Sequence, residues 1–277
     1  MVSDLFKVSL SNIIRRVSYQ KEADLRIRRE YKQIDARQVR DLFLEEALRS
    51  AKMVAADAAQ SGVGELSQAG VFNGDARSFV NNGIVGENAV DLVITSPPYA
   101  TALPYLDTDR LSLCYLGLLT RPEHRKRDIE MIGNREITDR LRRDQWERYL
   151  TEGMHLPSEV RILIDRIERE NGNGAVGFRR RNLGALLATY FFDMRNVLLE
   201  IQRALKPGAQ AFLVVGNNRT KTPDGEIEIR TSELLLAIAA SVGFADCERV
   251  EMEMLRSRDI FRVNRTPSED ILSMRRQ

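Results

Sequence analysis

Four consecutive residues, Ser96-Pro97-Pro98-Tyr99, bring together the groups needed to hold a planar ring that carries an amino group. A serine hydroxyl accepts hydrogen bonds through its lone pairs, and a proline keeps its carbonyl although it has no N–H. Ser96 Oγ and the Pro97 carbonyl can therefore receive the two N–H groups of one amino nitrogen. The Tyr99 ring offers a flat surface for stacking, and the two prolines stiffen the backbone between these groups. The plain alternative is a Pro-Pro turn that merely ends a strand. Position favours chemistry: the preceding apolar run, Val90, Leu92, Val93 and Ile94, reads as a buried strand. Open α/β sheets bind their ligands at the carboxyl ends of strands.

The elements that must position this loop can be read on either side of it. Residues 1–70 read as a helical segment. Asp35 with Gln38 three residues later makes an N-cap pair. Leu44, Ala47, Leu48, Ala51, Val54, Ala55 and Ala58 then follow helical spacing, which predicts one buried stripe, and Ser61-Gly62 predicts the stop. A short strand around Val71-Phe72 leads to Gly74-Asp75, and Asn81-Asn82-Gly83 marks a loop before the Val90–Ile94 strand. After Tyr99, an ordered loop over 100–105 precedes a helix from about Asp107 that carries Leu111, Cys114 and Leu116.

Residues 119–181 read as a charged, helical insertion holding the single Trp146. A strong helix follows, with Leu187, Tyr190, Phe191, Met194, Val197, Leu198, Ile201 and Leu205 on one face and Pro207-Gly208 as its stop. The continuous run Ala211–Val215 suits a central parallel strand. Pro223-Asp224-Gly225 is a turn signal, Glu233–Ala240 a capped helix, and Val250, Met252 and Met254 alternate as in a half-exposed strand. Strand and helix in alternation predict an α/β fold, a Rossmann-like open sheet with helices on both faces. The division expected is a helical segment over 1–70 and a core over 71–277 that contains the insertion.

Gly74-Asp75-Ala76-Arg77, the run from Asp91 to Tyr99 and the Leu205-Lys206-Pro207-Gly208 turn together resemble the amino-methyltransferases that act on exocyclic nitrogens of DNA bases. The signature loop of that family is Asp, Asn or Ser followed by Pro-Pro and an aromatic residue. The resemblance runs from Val71 to about Met254, and only its Pro-Pro-Tyr element is specific. It implies a methyltransferase sheet whose late strands form an antiparallel edge, S-adenosylmethionine as cofactor and DNA as partner. It implies that Ser96, Pro97, Pro98 and Tyr99 are catalytic, with the target base flipped out of the duplex onto Tyr99. Asp75 then stands where an acidic residue can approach the cofactor's adenine; capping the turn after Gly74 is the equal alternative. Both cytosine N4 and adenine N6 remain open as targets, with a lean toward cytosine.

The same family carries a Phe-x-Gly-x-Gly-like loop after its first strand, where glycines let the backbone approach the cofactor. This chain holds no such loop: residues 1–70 contain only Gly62, Gly64 and Gly70, and none follows a credible strand. The expectation is a methyltransferase sheet incomplete at its N-terminal strands, with the glycine loop either supplied by a second polypeptide or lost. An RNA base methyltransferase and a non-catalytic nucleic-acid-binding remnant of the same fold are the competing readings.

Composition narrows the rest. The 277 residues carry 42 Lys+Arg against 40 Asp+Glu, so the net charge of +2 alone does not call for nucleic acid. The bare triplet Arg179-Arg180-Arg181 beside glycines is the cluster best suited to phosphates. Gly172, Gly174 and Gly177 match a dinucleotide fingerprint by spacing, but a charged helix and not a strand precedes them, so they read as a flexible loop. Two cysteines, Cys114 and Cys247, set in apolar surroundings, imply core packing and no disulfide framework or zinc site. His124 and His155 lack partner ligands, so no metal is expected. No leader and no stretch of about 18 apolar residues is present, which predicts a cytoplasmic protein with no membrane contact.

Overall fold

The computed structural model describes residues 2–22, 29–61, 69–100, 105–172, 176–253 and 268–277. The chain forms two compact units, one of residues 1–72 with 104–127 and one of residues 73–103 with 128–277. The first holds the helices α1 (Val2–Ile13), α2 (Ala36–Ser61) and α3 (Tyr105–Tyr115). At the start of α2 the Gln38 N–H donates to Asp35 Oδ1 at 2.8 Å, and the Asp35 N–H donates back to Gln38 Oε1 at 3.3 Å. This closes the reciprocal cap that the spacing of the two residues predicts. The stripe on α2 is a different matter: Ala47 is buried, while Leu44, Leu48 and Val54 stay exposed. Val71 and Phe72 are exposed too, and no strand forms there, because the short apolar pair finds no ladder partner. Cys114, expected in the core, is exposed on α3.

The second unit holds the sheet. Its strands are β1 (Val90–Thr95), β2 (Leu205–Gly216), the hairpin β3 (Asn218–Thr222) and β4 (Gly225–Ile229), β5 (Phe244–Glu253) and β6 (Ser268–Arg276). The main sheet runs in the order β1-β2-β6-β5. β1 and β2 are parallel, with Val93 opposite Ala211 and Thr95 opposite Leu213. β6 lies antiparallel to both β2 and β5, which makes the antiparallel edge implied by the resemblance. Met254 and the middle of the Gly172–Gly177 run lie outside the described residues; the segment before that run is helical.

Between β1 and β2 come α4 (Glu123–Glu130), α5 (Asp139–Glu152), a short 3₁₀ turn at Gly153–His155, α6 (Ser158–Asn171), α7 (Phe178–Arg181) and α8 (Leu183–Ala204). The helix α9 (Thr231–Ser241) separates β4 from β5. α8 is the centre of the core: Leu187, Phe191, Met194 and Leu198 are fully buried on it, beside Ala211, Leu213 and Val215 of β2 and Leu235 and Ile238 of α9. An almost continuously apolar helix of this kind is buried on most sides.

α8 stops earlier than Pro207-Gly208 predicts, because Leu205 already turns to extended backbone with φ −64° and ψ 146°. The carbonyls left open at that end are taken by the segment leading into β1: the Asn88 and Ala89 N–H groups donate to Arg203 O at 3.0 Å and Ala204 O at 2.9 Å. Pro207-Gly208 instead sits in an irregular start of β2, where Val90 faces Leu205 but Leu92 faces Gln210. Upstream, buried Glu200 accepts the Val80 N–H at 2.6 Å and the Asn81 N–H at 3.0 Å, and pairs with Arg203 at 3.0 Å. The turn at residues 76–85 and the strand that follows are thus both clamped to α8, which fixes where β1 begins.

Candidate functional site

β1 ends at Thr95, and Ser96-Pro97-Pro98-Tyr99 follows at its carboxyl end without secondary structure of its own. Ser96 is exposed, Pro97 is buried, and Pro98 and Tyr99 are half-buried. The Ser96 hydroxyl donates to the Val214 carbonyl of the neighbouring strand at 3.2 Å. That bond uses the only hydrogen the hydroxyl has, so the lone pairs of Ser96 Oγ remain free to accept. A serine held this way is an acceptor by construction.

The rest of the loop is braced by residues that the motif does not contain. Gly216, at the end of β2, lies under the Tyr99 ring: a Cβ there would sit 2.9 Å from Tyr99 Cε2 and 3.1 Å from Cδ2. The Tyr99 hydroxyl donates to Glu269, the residue paired with Gly216 across the β2–β6 ladder. The ring therefore spans two strands, with one face on the Gly216 backbone. Gly133, with φ +76°, packs against the loop's backbone away from the ring: a Cβ at that position would meet Tyr99 O at 3.1 Å and Pro98 Cβ at 3.2 Å. Both its conformation and its clearance call for glycine. Asn218 Nδ2 donates to the Ala100 carbonyl at 3.1 Å and fixes the loop's exit. Glycine at the end of a buried apolar run, as in Val214-Val215-Gly216, is the one sequence signal that could have pointed to a close approach there.

A buried polar group backs this corner. Asp270 is fully buried next to Glu269, accepts from Asn217 Nδ2 at 2.8 Å and has the Arg249 guanidinium at 3.6 Å. Asn217 Oδ1 in turn receives the N–H and hydroxyl of Ser232, each at 3.0 Å, at the start of α9. The second oxygen of Asp270 has no hydrogen-bond partner among the described residues.

Asp75 lies in a turn, not at a strand end. Its carboxylate accepts from the Arg77 backbone N–H at 2.9 Å and from the Arg77 guanidinium at 2.9 and 2.7 Å. These bonds hold the Asp75 carboxyl below the usual range. The same guanidinium reaches Asp193 of α8 at 3.1 Å and the Glu130 carbonyl at 2.9 Å. Burial pushes the Asp193 carboxyl up, against the pull of Arg77. Arg77 thus joins the turn to the core and takes up most of the acceptor capacity of Asp75.

Arg179, Arg180 and Arg181 make up, with Phe178, the four-residue helix α7 and are exposed. Arg179 has Glu136 at 3.7 Å, and the Arg181 guanidinium lies 5.9 Å from the centre of the Phe178 ring. Arg135, Glu136, Gly177, Phe178, Arg179 and Arg180 line an open cavity of about 490 Å³. His124 lies 3.6 Å from Asp107. Among the described residues no group of three His, Cys, Asp or Glu could hold a metal ion, and no helix is long and apolar enough to cross a membrane.

Known proteins agree with part of this picture. No protein-family model matches the chain. It is 30% identical over 159 residues to the Type II methyltransferase M.AvaI of Nostoc sp. (strain PCC 7120), a match covering 56% of this chain and 30% of that protein. It is 27% identical over 170 residues to the Type II methyltransferase M.BsoBI of Geobacillus stearothermophilus, covering 58% of this chain and 32% of that one. The chain thus spans about a third of the length of the curated relatives it matches. Among solved structures, TTHA0409 of Thermus thermophilus, whose role as a DNA modification methylase is itself an assignment, aligns with a TM-score of 0.35 at 16% identity. That alignment covers 73% of this chain and 50% of the other. Over rather more than half its length, then, the chain is similar to two Type II methyltransferases, and it holds a mixed sheet with a proline-stiffened loop at the end of a parallel strand.

Proposed function

We propose that this chain carries the base-holding half of an S-adenosylmethionine-dependent DNA amino-methyltransferase, acting on the exocyclic nitrogen of a flipped cytosine or adenine. The observation that carries the reading is Ser96: an exposed hydroxyl at the carboxyl end of a parallel strand, with its hydrogen committed to Val214 and its lone pairs free. The relationship to M.AvaI and M.BsoBI supplies the reaction class.

An amino group conjugated with a base ring is a poor nucleophile because its lone pair is delocalised. Two acceptors at its N–H groups favour the pyramidal nitrogen that attack requires and stabilise the positive charge that develops on it. Ser96 Oγ and the Pro97 carbonyl are those acceptors, and Pro98 holds the turn between them and Tyr99. The base stacks on the Tyr99 face opposite Gly216, a contact worth about 1–3 kcal/mol by analogy with single-strand binding sites. The three arginines of α7 hold the phosphate backbone. Bound S-adenosylmethionine supplies the electrophilic methyl group. Asp75 has about four acceptor positions on its carboxylate, and Arg77 makes four hydrogen bonds to it, which leaves little for a cofactor hydroxyl. Among the described residues no glycine-rich loop follows a strand beside β1, and β1 is the first strand of the sheet. In this reading the glycine loop comes from outside the described residues, with a second polypeptide as its candidate source, as part of a restriction-modification system.

Transfer of labelled methyl groups to DNA and to RNA, with and without that second polypeptide, tests the proposal. Incorporation into DNA at an amino nitrogen, lost in Ser96→Ala, is the expected result. Incorporation only into RNA would move the substrate class, and activity indifferent to Ser96→Ala would remove the acceptor role.

A further inference from the structure

α2 carries two different faces. Val39, Leu42, Phe43, Glu46, Ala47 and Ser50 are buried or half-buried. Phe43 and Glu46 of this face meet α1: the Phe6 and Phe43 rings lie 5.9 Å apart, and Asn12 Nδ2 donates to Glu46 Oε1 at 2.8 Å. About a third of a turn further round the helix runs a second apolar line, Leu44, Leu48, Ala51, Ala55 and Ala58. Its steps of four, three, four and three residues are the repeat of a coiled-coil seam. Leu44 is 51% exposed and Leu48 62%, Ala51 and Ala55 are exposed, and Ala58 is half-buried. α2 also outruns its support: every residue from Ala51 to Asp57 is exposed, Met53 and Val54 among them. A stretch of helix bare on all sides has little in water to hold it.

We propose that this line is an interface between two copies of the chain, packed antiparallel about a two-fold axis that crosses α2 between Arg49 and Ser50. The register follows from the line itself. A two-fold contact is self-complementary, so that if residue i meets j, then j meets i. Setting Leu48 against Ala51 of the second copy brings Leu44 against Ala55 and Asp41 against Ala58, and the same three pairs recur beyond the axis. Every inner layer then joins one leucine to one alanine, and the two helices keep an even spacing along the seam. A parallel pair would stack leucine on leucine at one end and alanine on alanine at the other, which no single spacing fits.

Charge agrees with that register. Glu45 and Lys52 stand one heptad apart on the same flank of the seam, both exposed, and neither is ion-paired among the described residues. In the antiparallel dimer each Glu45 lies beside Lys52 of the other copy, and the two-fold axis makes the pair twice. An unrelated protein or a further stretch of the same chain would need no such match of the line with its own reverse. The seam from Asp41 to Ala58 is about 27 Å long. That is small for a specific interface, so the dimer should assemble at micromolar concentrations. The inference goes beyond the function proposed above and does not rest on it.

The test is sedimentation velocity of the full chain over a range of concentrations. A monomer–dimer equilibrium is expected, weakened by about 100-fold or more in Leu48→Glu, which sets a charge into two layers of the seam. Glu45→Lys should weaken it about tenfold, by turning two attractions into two repulsions. Adding Lys52→Glu to that variant should restore the original affinity, because the pairs re-form with their signs exchanged. In dilute solution, where the wild type is monomeric, Leu48→Glu should leave the urea midpoint unchanged, since that side chain already stands in water. A chain that stays monomeric up to millimolar concentration would overturn the inference, and so would a dimer indifferent to Leu48→Glu. A double charge exchange without rescue would overturn the antiparallel register. A dilute Leu48→Glu variant that unfolds at lower urea would show that the line is covered within the chain. Methyl transfer enters none of these measurements, so a failure of the proposed function leaves the interface standing, and a failure of the interface leaves the function.

Discussion

Replacing Gly216 by alanine probes the clamp on Tyr99 with a single methyl group. The added Cβ would stand 2.9 Å from Tyr99 Cε2 and 3.1 Å from Cδ2. Carbon atoms in contact prefer about 3.5–4.0 Å, so the ring must retreat by roughly 0.6–1 Å. It is not free to do so, because its hydroxyl is held by Glu269 across the ladder. Overpacking of this kind costs about 1–3 kcal/mol, and a glycine-to-alanine change on compatible backbone returns about 0.4–1 kcal/mol through the unfolded chain. The expected net destabilisation is about 1–2 kcal/mol, read as a lower midpoint in urea at unchanged slope. A ring displaced by about 1 Å should also lower methyl transfer by about two orders of magnitude. The double variant with Tyr99→Phe cuts the tether and lets the ring move. Gly216→Ala should then cost less by about 0.5–1.5 kcal/mol, the worth of one hydrogen bond. If the two changes are strictly additive, or if Gly216→Ala alone is neutral in both stability and turnover, the ring is not pinned and the account of this corner is wrong.

Other changes probe the remaining parts of the site. Tyr99→Ala should reduce methyl transfer strongly while Tyr99→Trp keeps much of it; equal losses would count against stacking. Substituting alanine for Arg179, Arg180 and Arg181 together should weaken DNA binding at all sequences alike. The log–log salt slope should shrink by about 0.9 for each phosphate no longer neutralised, and an unchanged slope would separate the triplet from DNA. Glu200→Ala removes the acceptor of two buried N–H groups and the partner of Arg203, so a loss of about 2–4 kcal/mol is expected in urea unfolding. Asp75 has its folded pKa depressed by Arg77. Its stabilising contribution is therefore fully present above its unfolded value of about 3.9 and lost as pH falls through the lower folded one. Acid titrations of the wild type and Asp75→Asn should differ by a constant amount above about pH 5 and converge below about pH 4; a gap that persists in strong acid would show that the Asp75 charge is not its source.

Much of the second unit is legible in the sequence because its signals are local. The strand read over Val90–Ile94, the long α8 and the Pro223-Asp224 turn between β3 and β4 all follow from short apolar runs or turn chemistry. The burial read for that strand does not: Leu92 and Ile94 are exposed and Val90 and Val93 only half-buried, because β1 is the end strand of the sheet among the described residues. β6 is not legible in this way. Ser268–Arg276 mixes Asp270, Ser273 and Arg275 with Ile271, Leu272 and Met274, and its most buried polar residue, Asp270, is tolerated only because Asn217 and Arg249 meet it from distant parts of the chain. The bracing of the proline loop is hidden for the same reason. Gly133, Gly216 and Glu269 lie between 34 and 170 positions from Tyr99 and become neighbours only once the ladder has formed. The pair Val71-Phe72 shows the opposite failure, a local pattern with no tertiary partner. The stripe on α2 fails likewise, since spacing marks a face for burial without saying that this chain buries it.

The acceptor side of the site is built around one sheet. β1, β2 and β6 set the hydroxyl of Ser96 against Val214, the ring of Tyr99 on Gly216 and its tether to Glu269, while Gly133 and Asn218 brace the loop beside them. These bonds close within the second unit and need no further chain. A base held about 1 Å out of place loses most of its rate, so this bracing is what the proposed acceptor role requires. Asp75, with Arg77 on its carboxylate, has little capacity left for a cofactor hydroxyl. The proposed function therefore predicts an asymmetry: the chain should hold a nucleobase-bearing strand without binding S-adenosylmethionine tightly. Calorimetry with each ligand alone measures both halves of that statement, and tight cofactor binding by the chain would overturn it.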